Sequence, residues 1–270
     1  MNTGKELWAV DMIKDLNGYM NEFSYAESVV VDDQYIYCFP GGREINVAAL
    51  NRFTGETVWT SPATGDTTHF VSPILVELPS RKVYVSASRH YIFGVDCSNG
   101  ALLWKYDIAM KYEGDHANTP VYEAPYIYNI TKDANGAGAI KLELSPDGKS
   151  VKEIWTNQGI KNDMGGFILM DNKLFVTTEN KYLNVVDPVD GKVLERVRST
   201  YGALIYADNK FICYGTTGDV SLFNYENGKL VQGGTFKVTM GSKEHFSHPV
   251  VASGVLYIRH GEALMAYRIK

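Results

Sequence analysis

The side chains of widest chemical range in this 270-residue chain are its six histidines and three cysteines. Histidine titrates near neutral pH and serves proton transfer, anion binding and metal ligation alike. His69, His116, His245 and His248 stand before or at the start of apolar runs, while His90 and His260 stand where one run turns into the next. Arg43, Arg89 and Arg259 share that second setting, and Glu27, Ser72, Asn118, Asp163 and Tyr201 open further runs. If the runs are strands of a repeated sheet, both kinds of connection emerge on one face. Glu27, His69, Arg89, His116, Asp163, Tyr201, His245, His248, Arg259 and His260 then form a candidate ligand-binding rim. Its cations would suit an anionic small molecule, a glycan or a peptide carboxylate through charge-assisted hydrogen bonds. The competing reading is that strand-start polar groups merely satisfy backbone around a channel. His245 and His248, three residues apart across a strand start, have no fixed chelate geometry, so no metal ligands are assigned.

Other chemistries find little footing. The chain has no GxSxG, HExxH, P-loop or EF-hand pattern, and no catalytic residue is assigned. Cys38, Cys97 and Cys213 are scattered, which excludes a CxxC metal pair and a disulfide framework. Cys38 and Cys213 fall in strand-like runs, where a thiol packs as a small hydrophobe. A net charge of −5 without a Lys/Arg run argues against a nucleic-acid partner. No apolar stretch reaches the ~18 residues of a membrane span, and the first ten residues lack a signal-peptide core. Asn129 heads an NIT glycosylation sequon, a pattern with many false matches.

Positioning such a rim requires a scaffold, and internal repeats supply one. AALNRFTGETVW, FGVDCSNGALLW, KLELSPDGKSVKEIW, NVVDPVDGKVL and SLFNYENGKLV each join two apolar strands through a polar turn, and NTGKELW at Asn2 is a half-copy. The turn glycines Gly4, Gly55, Gly100, Gly148, Gly191 and Gly228 are 51, 45, 48, 43 and 37 residues apart, the spacing of propeller blades. Trp8, Trp59 and Trp104 follow their glycine by four residues and Trp155 by seven, so all four tryptophans share one repeat position. Asn51, Asp96, Asp187 and Asn224 precede the glycine by four, where an Asx side chain caps the turn. Two further strands precede each hairpin, as in Ser72–Leu78 and Lys82–Ser88 before Tyr91–Asp96 and Ala101–Asp107. Four antiparallel strands per unit, repeated radially, make an all-β propeller. The last unit lacks a fourth strand and the chain opens with one, GKELWAV. The expectation is therefore six blades in one domain, residues 1–270, the last blade closed by the N-terminal strand. DANGAGA in the third unit reads as an enlarged loop.

At TGKELW, TGETVW and NGALLW the repeats resemble those of the PQQ-like, or quinoprotein alcohol dehydrogenase-like, propeller family. The resemblance covers the whole chain. It implies either a PQQ enzyme or a non-catalytic bacterial cell-envelope propeller. The family's alcohol dehydrogenases cover their cofactor with adjacent cysteines, which this chain lacks, and its tryptophans are all used by the repeat. The resemblance thus points to a non-catalytic binding or scaffold propeller, periplasmic or envelope-associated after loss of an export signal, monomeric, cofactor-free and with a protein, peptide or glycan partner. The alternative is a PQQ- and calcium-dependent or carbohydrate-active enzyme with its site in the same funnel.

Overall fold

The computed structural model describes residues 4–20, 24–108, 117–132 and 138–269. These contain strands and no helix. Blade one comprises β1 (Val30–Val31), β2 (Tyr35–Cys38), β3 (Ile45–Asn51) and β4 (Thr57–Pro62). Blade two comprises β5 (Ile74–Leu78), β6 (Arg81–Ala87), β7 (Tyr91–Asp96) and β8 (Leu102–Asp107). β9 (Val121–Glu123), β10 (Tyr126–Ile130), β11 (Ala139–Leu144) and β12 (Val151–Asn157) make blade three. Blade four holds β13 (Phe167–Met170), β14 (Lys173–Thr178), β15 (Tyr182–Val186) and β16 (Val193–Arg198). Blade five is β17 (Gly202–Ala207), β18 (Lys210–Gly215), β19 (Asp219–Glu226) and β20 (Lys229–Lys237). The last is β21 (Val250–Ala252), β22 (Val255–His260) and β23 (Ala263–Arg268). Strands pair in chain order, giving five four-stranded sheets and one of three.

The middle strands read as continuous apolar runs because both sheet faces are covered. Successive β14 side chains point to opposite faces: Leu174 and Val176 pack with blade three, and Phe175 packs with blade five. In β18, Phe211 and Cys213 face blade four while Ile212 and Tyr214 face the last blade. The core is thus a series of inter-blade layers, and Phe175 stacks on Phe211 with ring centroids 4.2 Å apart. Fourth strands alternate between covered and exposed residues, as β16 does.

A shared defect fixes each outer hairpin. Register shifts by one residue at Ala49/Leu50, Gly94/Val95, Lys141/Leu142, Val185/Val186 and Leu222/Phe223, a bulge before the outer turn of each of the first five blades, and blade one has a second shift at Ile45/Ala48. Trp59, Trp104 and Trp155 sit opposite the residue just before the shift. Trp59 lies against Gly100 with its indole N–H donating to the Cys97 carbonyl at 2.9 Å. Trp155 lies against Gly191 and donates to Pro188 at 3.0 Å, and Trp8 lies against Gly55 and donates to Arg52 at 3.2 Å. Trp104 instead covers Gly94 of its own blade, because the longer turn of blade three brings Gly148 against Leu78 and Val83. Asn51, Asp96 and Asp187 cap their turns as expected, accepting from the backbone N–H two residues on. Asn224 does not. It pairs with Val231 within the sheet, and Asn227–Gly228, both at positive φ, form a two-residue turn one step later.

The expected closure by the N-terminal strand is not what forms. Residues 4–10 make no strand, and β23 carries no fourth-strand neighbour among the described residues. Trp8, Val10 and Met12 pack against Cys38, Ala48 and Leu50 of blade one, while Leu7 stays 83 % exposed. The segment's burial is therefore obtained without pairing to β23. The Asn129 side chain is 1 % exposed, so the sequon is part of a folded strand. Most of DANGAGA lies outside the described residues.

Candidate functional site

First strands, or the segments leading into them, line one cavity of about 910 Å³ from all six blades. Blade one contributes Ala26 and Ser28, blade two Phe70 and Ser72, and blade three Ala117, Thr119 and Val121. Blade four supplies Asp163, Met164, Gly166 and Phe167, blade five Leu204, and the segment before β21 supplies Phe246 and His248. The wall is therefore largely apolar. Its described residues include one carboxylate, one imidazole and no arginine.

Hydrogen bonds between side chains and backbone fix this wall from behind. The Asn118 amide donates to the Ile130 and Asn162 carbonyls at 2.8 and 2.9 Å and accepts from the Gly166 N–H at 2.8 Å. Asn162 in turn donates to the Thr177 carbonyl and accepts from the Gly165 N–H. Thr177 completes the chain by donating to the Gly202 carbonyl at 2.7 Å. Gly165 must be glycine here, since a Cβ would sit 2.3 Å from the Gly202 oxygen. These buried polar groups tie blades three, four and five together at the cavity.

The candidate rim residues divide into separate places. Asp163 and His248 line the cavity. Asp163 is 8 % exposed; one carboxylate oxygen lies 3.3 Å from the Lys132 ammonium, and the other is buried without a partner. Its backbone N–H donates to the Tyr201 hydroxyl at 3.1 Å, so Tyr201 supports the wall from outside. The His248 Nε2 donates to the Met164 carbonyl at 3.3 Å. Glu27 lies between the cavity-lining Ala26 and Ser28 but does not line the cavity itself. It accepts from the Phe39 N–H at 2.7 Å, its second oxygen is buried without a partner, and burial pushes its carboxyl up to about 7.

His69 is 9 % exposed and edge-on to Phe70. Arg89 is half-buried, its backbone N–H donating to the Thr67 carbonyl. His90 meets Asp66 at 2.9 Å. Arg259 and His260 belong to β22 rather than to a turn, so they point to opposite sides, Arg259 exposed and His260 buried. His245 stacks on His260 within the last blade, centroids 3.6 Å apart. His116 lies outside the described residues. Of the candidate rim, Asp163 and His248 reach the cavity, while strand alternation in β22 turns Arg259 and His260 to opposite sides. Sequence reading missed the residues that do form the wall, Phe70, Met164, Phe167, Leu204 and Phe246. For Phe70, Met164 and Phe246 the one signal was a large apolar residue beside a polar one, His69, Asp163 and His245.

A family model described as outer membrane protein assembly factor BamB matches residues 1–197. The chain belongs to this family. Its BamB-like fold is matched by the crystal structure of BamB from Moraxella catarrhalis, with a TM-score of 0.60 and 18 % identity over 92 % of this chain and 77 % of that one. Quinohemoprotein alcohol dehydrogenase from Comamonas testosteroni matches at TM-score 0.66 and 12 % identity, over 99 % of this chain and 61 % of the enzyme. The computationally designed Ika8 protein matches at TM-score 0.62 and 10 % identity, over 91 % of this chain and 71 % of its own. No curated protein is matched by the sequence.

The dehydrogenase likeness invites a test of fit for PQQ, a flat quinone carrying several carboxylates. Such a ligand needs cations facing it. The described wall offers Asp163 and His248 among apolar side chains. The three thiols are buried apart from one another, and burial holds each at about 12. These residues do not fit the cofactor.

Proposed function

We propose that this BamB-family chain is a non-catalytic binding or scaffold propeller of the bacterial cell envelope, one domain whose central cavity receives the apolar side chains of a protein partner. The carrying observation is the cavity wall itself. Phe70, Phe167, Phe246, Met164 and Leu204 enclose a volume suited to a few large side chains, and burial of each is worth about 1.5–3 kcal/mol. Among the described lining residues the one carboxylate is Asp163, beside Lys132, so a lysine or amino terminus flanking the apolar residues fits better than the anionic ligand read from the rim. Family membership supports the protein partner and the envelope setting.

Photo-crosslinking tests this reading. A benzophenone amino acid at Phe246, 55 % exposed at the cavity, should attach to a discrete partner segment rich in large apolar residues, identified by peptide mass spectrometry. The same probe at Val189, 67 % exposed in an outer turn, should not. Equal labelling from both positions, or saturable binding of PQQ with calcium, would overturn the proposal.

A further inference from the structure

The stacked histidine pair lies outside the cavity, yet it holds part of the cavity's wall. Residues 238–249 connect β20 to β21 and carry Phe246 and His248. This connection is pressed against β22. A Cβ at Gly241 would lie 2.0 Å from the His260 carbonyl oxygen, and the Ser247 hydroxyl donates to the Arg259 carbonyl at 2.5 Å. At its centre the His260 Nδ1 lies 2.7 Å from the Met240 carbonyl and Nε2 lies 2.7 Å from the Lys243 carbonyl.

Carbonyl oxygens accept hydrogen bonds and cannot donate them, so both ring nitrogens of His260 must carry protons for both contacts to hold. That is the imidazolium. Neutral imidazole would leave one nitrogen lone pair facing a carbonyl lone pair at hydrogen-bonding distance. We propose that His260 is a pH-sensitive latch, which as imidazolium clamps the 238–249 segment onto β22 and on losing a proton to solvent releases it, together with Phe246 and His248 at the cavity.

The surroundings agree with a charged His260 beside a neutral His245. The Lys243 and Met240 carbonyls raise the His260 pKa above the ordinary histidine value, and Glu262 on the following turn acts in the same direction. His245 is lowered, by burial first and then by the neighbouring His260 charge; Lys237 lowers it further while Asp219 opposes. The Tyr214 hydroxyl lies 2.5 Å from His245 Nδ1, within hydrogen-bonding distance. The other charged or titratable groups on the latched segments are Lys243, Glu244 and His248 on the connection and Arg259 on β22, all exposed. Because the folded value is raised, the latch's stabilisation is complete below about pH 6.5 and is lost as pH climbs through the raised value.

The test is an NMR titration of isotopically labelled protein from about pH 5 to about pH 9, following the His260 ring nitrogens and the amides of Gly241 to His248. The expected result is a His260 midpoint above about 6.5, both ring nitrogens protonated below it, and loop amides that shift with the same midpoint. In H260Q that shift should vanish from the loop while blade-two amides keep their positions. A midpoint at or below about 6.5, loop amides indifferent to it, or an unchanged loop titration in H260Q would overturn the latch. The wild-type midpoint stands as a test even if H260Q fails to fold. The readout uses no ligand, so it is independent of what fills the cavity.

Discussion

Trp155 shows how one side chain joins two blades. Its indole covers Gly191 while its N–H reaches the Pro188 carbonyl, and the residue is 9 % exposed. Trp155→Ala should cost roughly 3–5 kcal/mol by chemical denaturation, the range for truncating a buried aromatic. Trp8→Ala should cost clearly less, because Trp8 is only half-buried beside an exposed segment. Glu27 gives a prediction of opposite sign. Its carboxyl keeps a proton to about 7 when folded, against an ordinary value of 4.5. Between those values the folded state binds more protons than the unfolded, so stability falls as pH rises. Glu27→Gln should therefore raise stability at pH 8 by up to about 3 kcal/mol and leave it nearly unchanged at about pH 4. Thermal melts of both proteins across that range would check it; a loss of stability at pH 8 would contradict it.

At the scale of elements, the turns and the glycine contacts decide how blades meet. The bulge before each outer turn was legible only as a Gly–Trp spacing, yet it recurs in five blades. Asn224 was misread because its Asx–x–x–x–Gly spacing copies the capped turns, while the neighbouring Asn227–Gly228 pair makes the tighter turn that keeps the strands in register longer. The close approach of β17 to the segment before β13 rests on Gly165. Gly165→Ala places a methyl against the Gly202 carbonyl and the Asn162 amide, backbone and network atoms that cannot step aside. It should destabilise by about 1–3 kcal/mol and broaden NMR signals of Phe167 and Leu204 at the cavity. A fully stable Gly165→Ala protein would mean that the inter-blade network is not a constraint.

For the whole molecule, what could be read from sequence was what repeats. Strand order, blade number and the tryptophan position recur locally, so a single chain displays them several times over. The site does not recur. Histidine position along the chain was readable, but the side to which each ring turns depends on strand register, and Arg259 and His260 diverge although adjacent. Phe70, Phe167 and Phe246 look in sequence like any core residue; only the shared axis of six blades makes them a wall. The fourth strand expected from GKELWAV is likewise absent, with Trp8 and Val10 packed on blade one and Leu7 exposed.

The central claim is that this wall binds apolar peptide side chains. Its most direct measurement is the affinity of peptides selected from a displayed random library, by fluorescence polarisation, for the native chain, Phe167→Asp, Phe70→Asp and Val189→Asp. The account predicts selected peptides rich in large apolar residues with a nearby cation. It also predicts at least tenfold weaker binding to both cavity variants, about 1.4 kcal/mol, and unchanged binding to Val189→Asp. Peptides that bind the cavity variants as tightly as the native chain would contradict it.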